Sequence, residues 1–517
     1  EQSGGMAQVT VGVGPLTEAD VLAVAREGAG VTLGADALEA LAAARNVVDE
    51  LAHDVEPHYG ISTGFGALAT RHIPPAQRAV LQQSLIRSHA AGSGPEVERE
   101  VVRAMMLLRL STLATGHTGI RPSTAVALAG LLDAGITPIV HEFGSLGCSG
   151  DLAPLAHVAL ALIGEGEVRD ANGRVLPAAD ALRAAGIEPV VLAEKEGLAL
   201  INGTDGMLGQ LLLACTDLDL LLRTADVTAA MSVEAMLGTA HVFAADLQAL
   251  RPQPGQAVAA ANMRALLDGS PIIASHAGPD CVYVQDAYSM RCAPQVAGAA
   301  RDTVAHARRV AAHELASAVD NPVVVDGRVE SNGNFHGAPI AYVLDFLAIP
   351  AADVASMSER RTDRMLDPAR SRGLPPFLAA DPGVDSGHMI AQYTQAALVS
   401  ELKRLAVPAS VDSIPSSAMQ EDHVSMGWSA ARKLRRSVDA LGRVLAIELL
   451  TAARALDLRA PLTPGPSTGA VVAGLREHVA GVGPDRYLAP EIEAAVEYVR
   501  GGAAVAAANG ALPDPLR

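Results

Sequence analysis

Long stretches of helical periodicity with few breakers constrain this chain more than any other feature. They run from about Pro294 to Val319, Ala341 to Arg364, Met389 to Val407 and Val424 to Leu458, and several such helices in succession predict a bundle. Between Met207 and Leu222, the positions Leu208, Leu211, Leu212, Cys215, Leu218 and Leu222 recur at helical spacing with Asp217 and Asp219 between them, the pattern of one buried face. Composition agrees: 50% of residues are hydrophobic but only 3% aromatic, so Ala, Leu and Val supply the core, which favours close-packed helices over sheets. The dipeptides Asn172-Gly173 and Asp326-Gly327 suit tight hairpin turns. The expected fold is mainly α, a long-helix bundle with small β-hairpin decorations.

A chain of 517 residues exceeds what one core usually supports. The expected organisation is an expression scar at residues 1–5, an N-terminal region at 6–205 carrying the reactive loop described below, and a long-helix bundle with a C-terminal helical region at 206–517. A formal charge of -18 without a basic block repels phosphate backbones and anionic lipid, which argues against nucleic acid or a membrane as partner and leaves a small-molecule function. Four cysteines without a CxxC pair suit a reducing compartment. No uncharged apolar run reaches bilayer length and no basic segment precedes an apolar one at the start, so the expected location is cytoplasmic.

The chemistry concentrates in Gly144-Ser145-Leu146-Gly147-Cys148-Ser149-Gly150-Asp151-Leu152-Ala153-Pro154-Leu155. Attack of the Gly150 amide nitrogen on the Cys148 carbonyl carbon closes a five-membered ring, and loss of two waters turns the Ser149 side chain into an exocyclic methylidene. The product is 4-methylidene-imidazole-5-one, a Michael acceptor. Glycine is favoured third because a Cβ would crowd the attacking nitrogen, and serine is needed second because its hydroxyl is eliminated. A helix starting just after the ring adds positive potential where an electrophile becomes anionic.

Other chemistries lack their residues. The Gly-x-Ser-x-Gly elbow of a serine hydrolase is absent around Ser149. Pyridoxal phosphate needs a lysine, and Lys195, Lys403 and Lys433 each sit among charged residues, where exposure is expected. The 15 histidines include His141-Glu142 and His313-Glu314, but neither is completed to HExxH, so no metal is expected.

The segment Gly147 to Leu155 resembles the signature of the aromatic amino acid lyase family. The resemblance extends from about Tyr59 to Gly427 and includes the Asn-Gly-Thr motif at Asn202-Gly203-Thr204. Cys148 stands where the family normally has Ala; only its carbonyl enters the ring, so its thiol is left to tune the site or to oxidise. The resemblance implies a homo-oligomer, a tetramer with sites assembled from several subunits. It matches Tyr59 to the loop tyrosine favoured as general base, a role that requires lowering a phenol that titrates near 10. Arg291 matches the arginine that clamps the substrate carboxylate, Tyr288 and Asn202 match residues close to the ring, and Gln285 and Phe335 match pocket positions. The plainer alternatives are a tyrosine packing a Gly-rich turn and an arginine in a structural salt bridge.

Substrate choice rests on fewer residues. Ser88-His89 and Gln420-Glu421-Asp422-His423 resemble the family members that act on histidine, with Glu421 as partner for an imidazole N–H or as helper in removing the β-proton. A buried structural Glu is the alternative. Tyr283 replaces an expected basic residue and His388 an apolar one. The expected reaction is deamination of histidine to trans-urocanate; the alternatives are tyrosine or phenylalanine deamination, an aromatic 2,3-aminomutase, and an inactive helical scaffold.

Overall fold

The Ala- and Leu-rich periodic stretches do form the helices Asp205–Ala235, Ala293–Leu315, Ala338–Leu366, Met389–Leu405 and Gly427–Asp457 in this computed structural model, which describes residues 7–281 and 283–517. The reading of residues 1–5 lies outside the described residues. The protein is mainly α, with short strands between helices.

Helix ends depart from the periodicity for local reasons. The last long helix starts at Gly427 rather than Val424 because the preceding residues are bound elsewhere: Met426 N donates to Leu146 O at 3.1 Å and Ser425 Oγ to Gly147 O at 3.5 Å. The helix from Asp205 runs on to Ala235 and stops where Leu237 turns left-handed (φ 53°) and Gly238 N caps Val233 O at 2.8 Å.

The chain divides into two compact units. The first comprises residues up to Leu213, Arg308–Asp345 and Pro408–Arg432. In it Gln8–Val11 pairs in parallel with Gly30–Leu33, Ser93–Glu96 pairs with His141–Phe143, and Thr137–Pro138, Glu167–Arg169 and Val175–Pro177 form an antiparallel sheet. Both turn dipeptides close hairpins: Glu167–Arg169 with Val175–Pro177, and Val323–Val325 with Arg328–Glu330, where Asp326 and Gly327 take φ of 47° and 75°. A small core of Ala44, Val48, Ala52, Ile61 and Val324 packs this second hairpin and the segment after Tyr59 onto the helix Ala35–Ala52.

The second unit comprises Ala214–Ala307, Phe346–Val407 and Lys433–Arg517. Its helix Pro466–Arg476 packs against Ala503–Gly510 and Pro254–Leu267. Two stretches among the described residues, Glu196–Ala235 and Ala338–Leu366, are long and apolar enough to cross a membrane by length and composition, although charged residues interrupt both, so the expectation that no uncharged run reaches bilayer length stands. The apolar window of the first is 100% buried, so its all-round hydrophobicity is that of a core helix.

Candidate active site

The segment Cys148-Ser149-Gly150 lies between the strand His141–Phe143 and the helix Leu152–Leu162. Gly150 is buried with φ 89°, and a Cβ there would lie 2.1 Å from Gly203 O, so both backbone angle and space demand glycine. Gly147 (φ 72°) is held likewise, with the Ser425 hydroxyl 2.2 Å from where its Cβ would be. Asp151 N donates to Gly203 O at 2.7 Å, and its carboxylate accepts from Ser145 Oγ and Met207 N, both at 2.9 Å. Burial pushes this carboxyl up to about 7 against those hydrogen bonds. Trp428 Nε1 donates to Glu142 O at 2.7 Å, and Arg432 pairs with Glu98 and Glu142, which fixes the strand leading into the loop.

Glu421 acts on both the Cys148 thiol of this triad and the His89 ring. Burial, then the nearby Glu421 carboxylate, pushes the Cys148 thiol up to about 12, so the thiol stays protonated. His89 is held low by burial, partly offset by the Leu85 carbonyl and by Glu421. Ser88 Oγ donates to Leu85 O at 3.1 Å and therefore accepts from His89 Nδ1, also at 3.1 Å, which makes Nε2 of the neutral ring the acceptor nitrogen. Glu421 is held by paired backbone hydrogen bonds with Ser416 and by the Ser416 hydroxyl at 3.2 Å. Between them Ser417, Ala418 and Met419 all have positive φ, a turn that costs about 1–2 kcal/mol per residue.

Asn202 is buried, and its Nδ2 donates to Asn321 O at 2.9 Å while Arg109 Nη1 donates to its carbonyl. Asn321 Oδ1 in turn accepts from Asn332 N at 3.0 Å, at the root of the segment carrying Phe335. That segment is tied to the Glu421 segment by His336 Nε2 and His423 Nδ1, 3.0 Å apart. Ala338 N donates to His336 Nδ1, so His336 Nε2 is the donor of the pair. Tyr59 is half-buried with its ring edge-on to Phe65, and Gly60 beside it packs against Leu198 and Pro322, the neighbours of Asn202 and Asn321.

Gln285, Tyr288 and Arg291 belong to the second unit. The short helix Tyr288–Arg291 leaves Tyr288 71% exposed, and the Arg291 guanidinium lies 4.9 Å from its ring centroid. Arg291 Nε is buried without a hydrogen-bond partner, and among the described residues no ion pair engages this side chain. With Gln285 it lines a cleft of about 470 Å³.

Compared with known proteins, the chain matches the family described as aromatic amino acid lyase over residues 16–477. It belongs to that family. This lyase-family chain is 66% identical over 506 residues to the histidine ammonia-lyase of Streptomyces avermitilis, covering 98% of this chain and 99% of that one. Of solved structures, a tyrosine aminomutase from Streptomyces globisporus is similar with a TM-score of 0.94 at 39% identity, covering 99% of this chain and 100% of that one. The histidine ammonia-lyase from Trypanosoma cruzi is similar with a TM-score of 0.90 at 39% identity, covering 98% and 96%.

Several residues that shape this family site escape the sequence reading. Asp151 lies inside the quoted triad motif, and Ser425 lies two residues beyond His423 of the quoted Gln420–His423 motif. Arg109 carries a fainter signal, a charge within the otherwise apolar run of the helix Arg99–Ala114, where it is 1% exposed. The expectation that the lysines are exposed fails for Lys195, which is fully buried with Nζ 2.5 Å from Asp320 Oδ2; the carboxylate partner makes burial tolerable. At the two departures from the family, Tyr283 sits under the Arg372 guanidinium at 3.7 Å, and His388 is buried with Nδ1 3.0 Å from Thr451 Oγ1.

Proposed function

We propose that this protein is a histidine ammonia-lyase that converts L-histidine to trans-urocanate and ammonia. The observation that carries the reading is Glu421, whose carboxylate acts on both Cys148 and His89. A carboxylate there suits an imidazole, which offers N–H donors, and is costly beside a phenyl ring. The 66% identity to a histidine ammonia-lyase, against 39% to a tyrosine aminomutase, favours the same substrate.

In this reading Arg291 binds the substrate carboxylate with a planar fork that no protein carboxylate occupies among the described residues. Glu421 accepts one imidazole N–H, and His89 Nε2 is a further acceptor. Tyr59 takes the β-proton at its phenolate oxygen, Tyr288 and Asn202 lie against the reacting centre, and Gln285 and Phe335 line the pocket. Breaking the Cα–N bond then releases ammonia and leaves the alkene of urocanate.

Cys148, Ser149 and Gly150 fit the 4-methylidene-imidazole-5-one group used by the family: Gly150 has no room for a Cβ, and Gly203 O and Asp151 hold the peptide after it. Once formed, that group supplies the electrophile. The protein acts as a homotetramer with sites built from more than one subunit, and its free cysteines suit the cytoplasm.

Incubation with histidine, tyrosine and phenylalanine tests the reading. Urocanate supports it; a β-amino acid identifies an aminomutase, a cinnamate-type product another lyase, and no turnover an inactive scaffold. Reassembling Tyr59→Phe with Arg291→Ala subunits should recover activity that neither variant has alone, and no recovery would refute shared sites.

A further inference from the structure

The helix that carries Ser88 and His89 has an unusual exit. It ends at His89, Ala90 N closes onto Ile86 O at 2.9 Å, and Ala91 N turns back to His89 O at 2.8 Å. The next donor, Gly92 N, meets a side chain instead of backbone: His157 Nε2, at 3.1 Å. His157 stands on the helix Leu152–Leu162, which begins directly after the ring-forming triad. Gly92 is also pressed in place, since a Cβ there would lie 3.0 Å from His157 Nε2 and 3.3 Å from His141 Cβ. Two residues on, His141 Nδ1 lies 3.1 Å from Gly94 O, and the rings of His141 and His157 meet edge to face at 5.4 Å.

The partners settle the tautomers. A backbone N–H only donates, so His157 Nε2 is unprotonated and the ring is neutral through Nδ1–H. A carbonyl only accepts, so His141 Nδ1 carries the proton of that contact. Burial, with His141 beside it, holds His157 down to about 4, which keeps it neutral under ordinary conditions.

We propose that His157 is a positioning residue: by accepting the Gly92 N–H it fixes the helix exit that aims the His89 ring at the substrate. His157 thereby links the substrate-recognising histidine to the helix that starts at the ring-forming triad. The proposal rests on the histidine-binding role given to His89 above.

The test compares His157→Ala and His157→Gln in the full-length protein. His157→Ala removes the acceptor and should raise KM for histidine by roughly tenfold while kcat changes by less than about twofold. Its intact mass should still fall two waters short of the sequence, because the triad itself is untouched. His157→Gln, whose side-chain oxygen can accept from Gly92, should recover most of the loss. An unchanged KM in His157→Ala, or an equal fall of kcat and kcat/KM in both variants, would overturn the proposal. Wild-type turnover is the control for the substrate: if tyrosine or phenylalanine is the amino acid converted, the histidine reading fails and the same comparison is made on that substrate. A crystal structure of His157→Ala gives a readout free of activity, in which an undisplaced Ala90–Gly94 segment also counts against the proposal.

Discussion

Arg361 and Glu448 face each other inside the second unit, with Nε 2.5 Å and Nη2 2.8 Å from the two carboxylate oxygens, and Arg361 Nη1 donates to Ser289 O at 3.0 Å. Ser232 and Ser358 complete the carboxylate at 2.7 and 2.8 Å. Ser289 lies within the turn Tyr288–Arg291, so a fully satisfied buried pair aims two of the proposed site residues. Glu448→Ala strands a buried guanidinium and should cost about 3–5 kcal/mol in urea unfolding. Arg361→Lys keeps a charge for Glu448 but cannot also reach Ser289; it should fold, with KM for the amino acid raised several-fold.

The crowding at Gly150 leads to a mass prediction. The wild-type protein should weigh two waters less than its sequence, since ring closure and loss of the Ser149 hydroxyl each remove one. Ser149→Ala has room at its position but no hydroxyl to eliminate. It should unfold like wild type, lose at most one water and be inactive. An unshifted mass in active wild type would refute the ring chemistry.

The parts of this molecule that could be read from sequence are those whose cause is local. Leu208, Leu211, Leu212, Cys215, Leu218 and Leu222 mark a buried helical face because the helix period is intrinsic to the backbone, and Asp326-Gly327 marks a turn because of the φ values it needs. The triad Cys148-Ser149-Gly150 stands out in the sequence because three adjacent residues would supply all the atoms of the proposed ring. Lys195 was misread because its partner Asp320 is 125 residues away, and a charge is assigned to solvent until its counter-charge is found. His157 gave no signal for the same reason: its acceptor role depends on Gly92, 65 residues earlier. The start of the helix at Gly427 was set by Leu146 and Gly147, which capture the residues before it.

His388 makes acid stability predictable. Burial, then Arg454, Arg486 and Arg476, pushes it down to about 3 from the ordinary 6.5. Between those values the unfolded chain takes up a proton that the folded protein refuses, so stability is lost as pH falls below 6.5. The loss for this one group is about 1.4 kcal/mol per pH unit. Its buried partner Thr451 accepts or donates one hydrogen bond, which a leucine forgoes. Relative to wild type, His388→Leu should therefore gain about 2 kcal/mol in urea unfolding at pH 5 compared with pH 7. A constant difference between the two proteins across that range would show that His388 is protonated in the fold.

In the proposed function Glu421 decides which amino acid the site prefers. Its carboxylate is held by Ser416 and faces Cys148 and His89, so without an N–H donor from the substrate it sits partly buried and incompletely bonded. A hydrogen bond to a charged group contributes roughly 1.5–3 kcal/mol, enough for about tenfold discrimination or more. Glu421→Gln should therefore lower kcat/KM for histidine by at least about tenfold while the two-water mass deficit persists. Cys148 should remain slow to alkylate in the variant, because burial is the larger reason that its thiol is raised. If Glu421→Gln keeps wild-type histidine turnover, the carboxylate is structural and recognition of the imidazole falls to His89.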